Sequence, residues 1–217
     1  MNDLLFEIGT EEIPAGFLNP AAEQLQLLFE AKAEKRNISF ESIKTFSTPR
    51  RLALLVCNLA ERQRDSLEIS LGPSSAAAFD ADGKPTRAAE GFARSKGVTV
   101  AELSVVETLK GEYLQLTREV KGQSSSALLP GLLQELILEL SFPKSMKWGS
   151  YHNTFARPVQ WLVALLGDTV IELEFEGVPS GRLTKGHRFM ASGEKEIARA
   201  SEYEAVMESV SVIADFT

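Results

Sequence analysis

Cysteine is almost absent from this chain. Cys57 is its single thiol in 217 residues, which excludes an internal disulfide framework and a zinc site built on paired cysteines. That usage fits a reducing compartment, and a cytoplasmic location is expected. Cys57 sits within an aliphatic run and reads as a small core residue rather than a nucleophile. Histidine is scarce as well, with only His152 and His187, which makes a poor case for a metal centre. Long hydrophobic runs are missing: the longest, Leu52 to Cys57 and Trp161 to Leu166, span about six residues against the roughly 20 that cross a bilayer. No membrane partner is expected. The N-terminus has no basic segment followed by an apolar core, so no secretory leader is read. Also absent are the glycine-rich phosphate cradles G-x-x-x-x-G-K-[ST] and G-x-G-x-x-G, the zinc helix H-E-x-x-H and the nucleophile elbow G-x-S-x-G.

Acidic side chains are missing from three windows of an otherwise acidic chain of net charge −7. Ser42 to Ala60 holds Lys44, Arg50 and Arg51; Ser141 to Leu166 holds Lys144, Lys147 and Arg157; Gly177 to Gly193 holds Arg182, Lys185 and Arg188. These windows carry nine of the 23 basic residues and none of the 30 acidic ones, and both histidines fall inside them. Such segregation fits a polyanion bound at a defined place on an acidic body. It also fits strands and loops with the acids gathered on solvated helices. Lysines meet phosphates as point charges, and Trp148, Tyr151 and Phe155 are candidates to stack on unpaired bases. Trp161, in an apolar run, reads as core, and Phe142 as packing under the preceding helix. Arg50 and Arg51 are adjacent, and in a strand they would point to opposite faces.

The hydrophobic pattern alternates between helical and strand signals without a regular βαβ rhythm, so the fold class is α+β with mainly antiparallel strands. Strands are expected at Leu4 to Gly9, through "FSTPRRLALLVCNL" with an irregularity at Pro49, and over Leu67, Ile69 and Leu71. Asn19 and Pro20 read as a helix start, ahead of the Leu25, Leu28, Phe29 stripe. Thr86 and Gly97 bracket a second helix, a hairpin turns at Lys110-Gly111, and Leu128 to Leu140 is a strongly apolar helix stopped by Pro143. Strands near Val159 to Leu166 and Val170 to Phe175 flank a turn at Gly167-Asp168, and Glu194 to Glu208 reads as an acidic helix. The Pro, Ser, Asp and Gly content of Gly72 to Pro85 places a boundary between sub-domains 1–75 and 76–217. The last residues, "VIADFT", stop inside an ordered-looking pattern, as in a piece of a longer chain.

The cluster "EIGTEE" brings Glu7, Glu11 and Glu12 close in sequence. Paired carboxylates at a strand end suit acid–base work or a hard cation. Equally, Thr10 would cap a turn whose positive N-terminal end favours Glu11 and Glu12.

Seven segments, "EIGTEEIP", "TPRRLAL", "KPTRAAEGFARSKGV", "KGEYL", "FPKSMKWG", "FARPVQWLVALLGD" and "GHRFM", occur in this order from Glu7 to Met190. Taken together the chain resembles the N-terminal part of the β subunit of bacterial heterotetrameric glycyl-tRNA synthetase, over essentially its whole length. Ile13 and Lys147 depart conservatively from the usual leucine and the common arginine. The resemblance implies an α₂β₂ class II ligase that joins glycine to tRNA(Gly) with ATP and Mg²⁺. Its catalytic core belongs to the α subunit, and the β subunit supplies tRNA recognition. It further implies that this segment carries no catalytic residue and no cofactor of its own, and that an HD-like region and an anticodon-binding domain lie elsewhere in the full β chain. The residues expected to face tRNA or the α subunit are Lys144, Lys147, Trp148, Tyr151, Arg157, Arg182, Lys185, His187 and Arg188, with Arg50 and Arg51 beside them. Two other readings stay open. One is a purely structural docking module for the α subunit. The other is an editing-like hydrolytic domain in which Glu7, Glu11 or Glu12 assists a water, which requires these carboxylates and the cations to line one pocket.

Overall fold

The computed structural model describes residues 2–213. It is α+β, with mostly antiparallel strands. The part of "VIADFT" from Ala214 onward lies outside the described residues. Contacts divide the chain into two units: residues up to Gln63 together with those from Gln123 onward, and the intervening Arg64–Gly122. The division differs from the one drawn at 75/76 from composition. The Gly- and Pro-rich stretch is internal to the second unit, where Phe79 bridges to Pro85. The first unit is discontinuous because strands from both ends of the sequence pair side by side.

The first unit opens with β1 (Asn2–Thr10), α1 (Ala15–Lys35), β2 (Ser42–Thr48) and β3 (Arg51–Leu59). The second contains β4 (Ser66–Ser74), α2 (Ser75–Ala78), α3 (Arg87–Lys96), β5 (Ser104–Thr108) and β6 (Gly111–Val120). The first then resumes with α4 (Ser125–Glu139), β7 (Val159–Leu166), β8 (Thr169–Val170), β9 (Glu174–Phe175), β10 (Val178–Gly181), β11 (Leu183–Lys185), β12 (Glu194–Glu196) and α5 (Tyr203–Ser209).

The main sheet has the order β2-β3-β1-β7-β10-β9, with β8 added to β7. Its central strand β1 pairs antiparallel with both β3 and β7, while β10 joins β7 in parallel. Leu4 through Thr10 are all buried, as a strand covered on both faces requires. Leu4, Phe6 and Ile8 meet α1 and α4 on one side, through Leu25, Phe29, Leu132, Leu133 and Leu136. Leu5 on the other side meets Phe46, Trp161, Val163, Ile197, Tyr203 and Met207. The two helices are also tied by Lys32, whose ammonium lies 2.9 Å from Glu135 and 2.7 Å from Glu139.

Several local expectations change. Helix α1 begins at Ala15, after Pro14, rather than at Asn19, so Pro20 lies inside it. Its first turn holds no acid, and Glu11 and Glu12 precede it in a loop. "FSTPRRLALLVCNL" is not one interrupted strand but a tight hairpin, in which Pro49 and Arg50 form the turn between paired Thr48 and Arg51. Proline at the first turn position has its φ already set for that reversal. The stretch read as Val170 to Phe175 is split into β8 and β9. The tail has a short 3-10 turn at Ala200–Glu202 and is α-helical only from Tyr203 to Ser209. Ile197, Ala200, Tyr203 and Met207 are buried against the sheet, so it is a covering layer rather than a solvated acidic helix. Cys57, on β3, is half-buried.

In the second unit, β4, β6 and β5 form a three-stranded antiparallel sheet. Thr86 caps α3 through the Ala88 amide, and Gly97 ends it at φ 70°, as its sequence signals predict. Leu114, Ala78 and Ala89 form a small core with Phe79 and Phe92.

Where the chain leaves and rejoins the first unit, the Gln63 amide donates to the Gln123 carbonyl at 2.9 Å, and Arg62 bridges to Ser124. Bonded ends of this kind mark a tolerated insertion. Replacing Arg64–Gly122 with a short Gly/Ser linker is expected to leave the first unit folded, its stability changed by no more than about 2 kcal/mol. Loss of a cooperative denaturant transition in that variant would show that the first unit depends on the insertion.

Candidate functional site

A buried carboxylate organises the second face of the main sheet. Glu7 on β1 is fully buried, with Oε1 accepting from Trp161 Nε1 and from Thr184 Oγ1, and Oε2 accepting from the Tyr203 hydroxyl. Each bond measures 2.5 Å, and the two hydroxyl bonds fall in the range of charge-assisted O–H···O contacts. These donors come from β7, β11 and α5, three elements far apart in sequence. Gly9, two residues along β1, sits opposite Trp161 in the β1–β7 register. A Cβ at Gly9 would overlap the indole, so the missing side chain lets the ring lie against the strand. "EIG" therefore encodes an anchor and a seat for one tryptophan.

That tryptophan collects cations. The Arg50 and Arg51 guanidinium carbons lie 5.6 and 5.8 Å from its ring centroid, and the Lys185 ammonium lies 5.1 Å away. All are within cation–π reach. The expectation that the two arginines diverge assumed that both lie in a strand. Arg50 belongs to the turn, and both guanidiniums reach one ring. Arg51 is 2% exposed, with its terminal nitrogens bonded to the Met207 sulfur and the Lys185 carbonyl. The Nε atoms of Arg50 and Arg51 are buried and have no hydrogen-bond partner.

Beside this cluster lies a cleft of about 370 Å³, bordered by the Thr48–Arg51 turn, by Gly186 to Phe189, by Ser211 to Ile213 and by Glu12. Gly186 is forced by crowding: a Cβ there would meet the Ala191 carbonyl and Val210. The Phe189 and Met190 amides donate to His187 Nδ1 at 3.3 and 3.2 Å, so the neutral imidazole carries its proton on Nε2. Arg188 is exposed and lies 3.5 Å from Glu12, the single carboxylate of the lining among the described residues.

The other sequence candidates lie elsewhere. Lys144 and Lys147 are exposed in the irregular connection between α4 and β7, where Met146 and Phe155 form a two-residue bridge. Trp148 is half-buried there, with Tyr151 and Phe175 each 6.4 Å away centre to centre. Phe142 rests on Phe155 at 4.8 Å. Arg157 donates to its neighbouring Ala156 carbonyl. Arg182 donates to the Asp168 carbonyl at 2.9 Å, which ties it to the fold. Of the eleven residues named from sequence, the structure brings Arg50, Arg51, Lys185, His187 and Arg188 together. Among the described residues the acid–base arrangement is not assembled, because Glu7 is engaged by three donors and, of Glu7, Glu11 and Glu12, only Glu12 borders the cleft. Among the described residues no cluster of His, Cys, Asp or Glu is placed to hold a metal ion. Sequence reading missed Thr184, Tyr203 and Met207. The signal available for the network was a carboxylate flanked by apolar residues in a strand, Leu5-Phe6-Glu7-Ile8, which demands partners.

These elements make an α+β platform whose basic cleft, with Phe189 in its lining, suits an anion. Residues 4–217 match the model of the family described as glycyl-tRNA synthetase beta subunit, and the chain belongs to that family. It is 45% identical over 215 residues to the glycine–tRNA ligase beta subunit of Myxococcus xanthus (strain DK1622), covering 99% of this chain and 31% of that protein. The corresponding subunit of Syntrophus aciditrophicus (strain SB) is 45% identical over 202 residues, 93% of this chain and 29% of the relative. That of Geobacter metallireducens (strain ATCC 53774 / DSM 7210 / GS-15) is 47% identical over 192 residues, 88% and 28%. The chain thus spans about three tenths of the length of the curated relatives it matches. No described helix is long and apolar enough to cross a membrane.

Two outcomes follow from the Glu7 network. Gly9→Ala is expected to destabilise the first unit by about 2 kcal/mol or more in denaturant titration, because neither the indole nor β1 has room to move. Burial, reinforced by the adjacent Glu7 carboxylate, pushes the Tyr203 phenol well above its ordinary 10.0. The folded state therefore holds this proton more tightly than the unfolded chain. Its contribution is complete below about pH 10 and is lost as pH rises through the higher folded value. The denaturation midpoint should fall above pH 10, and Tyr203→Phe should lessen that fall; an unchanged alkaline slope in the variant would contradict the assignment.

Proposed function

We propose that this region is an RNA-facing accessory module of a glycine–tRNA ligase β subunit. In that reading it corresponds to the N-terminal part of the subunit and helps a cytoplasmic α₂β₂ class II enzyme hold tRNA(Gly). Glycine activation with ATP and Mg²⁺ belongs to the α subunit, and the residues of this chain bind and orient rather than react. Family membership supports the general assignment. The observation that carries the RNA-facing role is the gathering of Arg50, Arg51 and Lys185 on Trp161 beside a cleft that also holds His187 and Arg188. Cations supported on an aromatic floor suit a phosphate backbone. Lys144 and Lys147 extend the same chemistry to the α4–β7 connection, with Trp148 and Tyr151 beside them.

A second reading, docking of the α subunit, draws on Phe189 and Met190, which are 84% and 68% exposed next to the same cleft. Large exposed apolar side chains are common where proteins meet.

The test is titration of the full β subunit, with its α partner, against tRNA(Gly) at about 50 and 200 mM salt. Arg188→Glu is expected to weaken binding and to lower the salt slope by about one, and Lys144→Glu/Lys147→Glu by about two. Weakened α–β association at an unchanged tRNA salt slope would establish docking instead.

A further inference from the structure

The cleft is more than a basic patch, because its walls differ in chemistry. Arg50, Arg51, Arg188 and His187 supply donors, Pro49, Phe189, Val212 and Ile213 supply apolar surface, and Glu12 supplies one acceptor at the rim. Its volume of about 370 Å³ falls within the range of ligand-sized clefts, roughly 300–1,000 Å³. Two further observations point to a ligand. Arg51, almost wholly buried, and Arg50, half-buried, both border the cleft, and each has a buried Nε without a partner. The Phe189 ring is 84% exposed, yet it has the Arg188 guanidinium at 5.9 Å and the His187 ring at 6.3 Å. A large, exposed aromatic beside a cation and an imidazole offers a ring face on which a base can stack.

We propose that this cleft takes a single nucleotide: its phosphate lies against Arg50, Arg188 and the Nε2–H of His187, and its base stacks on Phe189. This deepens the RNA-facing reading and rests on it, the nucleotide being an unpaired residue of the bound RNA. The phosphate displaces Glu12 from Arg188, an exposed pair at 3.5 Å that yields readily to an anion also held by Arg50 and His187. The freed Glu12 carboxylate then accepts from an exocyclic amine. It therefore favours a base that carries such a group, as cytosine does, over uracil, which offers a carbonyl at that position.

The experiment is calorimetric titration of the full β chain with cytidine 5′-monophosphate, uridine 5′-monophosphate, cytidine and inorganic phosphate at low salt, with tRNA(Gly) as competitor. Cytidine monophosphate should bind about ten-fold more tightly than cytidine or phosphate alone. Arg188→Ala should weaken it by about ten-fold. Phe189→Ala should weaken the nucleotide by a similar factor and leave phosphate unchanged. Glu12→Ala should abolish the preference for cytidine over uridine monophosphate, and tRNA should displace the mononucleotide. Phosphate binding as tightly as the nucleotide, or variants indistinguishable from wild type, would overturn the proposal. Intact tRNA binding with no mononucleotide binding overturns this site alone, whereas no salt-dependent tRNA binding at all overturns the RNA-facing reading beneath it.

Discussion

The Glu7 carboxylate is the constraint on which the rest of the first unit depends. A charge on the central strand of a sheet covered on both faces is strongly unfavourable unless every oxygen finds donors. Trp161, Thr184 and Tyr203 supply them from three elements, and each is fixed in place by doing so. The tail is held down through Tyr203, β11 through Thr184, and the indole through its N–H. The Arg51 guanidinium acts on the same phenol with the opposite sign to Glu7. The acid thus specifies packing and at the same time draws a buried cation to the base of the cleft.

From that anchor the cleft follows by geometry. The β1–β7 register places Gly9 under the indole, and the β2–β3 hairpin ends at the same edge. Its turn, Pro49-Arg50, brings a second arginine within cation–π reach of a ring whose N–H is already engaged. The connection from β11 returns Gly186 to Phe189 to that edge, and Gly186 packs so tightly on Ala191 and Val210 that its neighbours hold a fixed position. Three sequence windows free of acid were visible from the start, but only parts of them converge. The first and third meet at Trp161 of the second, while the second's lysines lie on a separate irregular segment.

Much of the fold was legible because local signals and tertiary demand agreed. A strand was expected near Val159 to Leu166 ahead of a turn at Gly167-Asp168, and β7 covers Val159–Leu166. Helix α3 was read from Thr86 and Gly97, whose capping chemistry is local. Failures occurred where distant pairing decided. Composition placed a domain boundary at Gly72 to Pro85, yet a discontinuous unit is defined by β1 pairing with β7, which no local pattern reveals. Asn19-Pro20 had the chemistry of a helix start, but the helix already begins at Ala15, with Ile13, Phe17 and Leu18 packed against the core. At the site, the cationic residues were legible as types, whereas their common focus on Trp161 was not. Glu7 was read alongside Glu11 and Glu12 as one cluster, although strand alternation and burial give it a different role from both.

If the arginine turn and the Gly186 to Phe189 segment form one RNA-contacting surface beside Trp161, bound RNA must shield both at once. Amide hydrogen exchange of the full α₂β₂ enzyme, with and without tRNA(Gly), measures that shielding. Slower exchange with tRNA is expected at Arg50 and across His187 to Phe189 together, with the β1 core unchanged. Protection confined to the segment from Lys144 to Tyr151, or none in either segment, would contradict it.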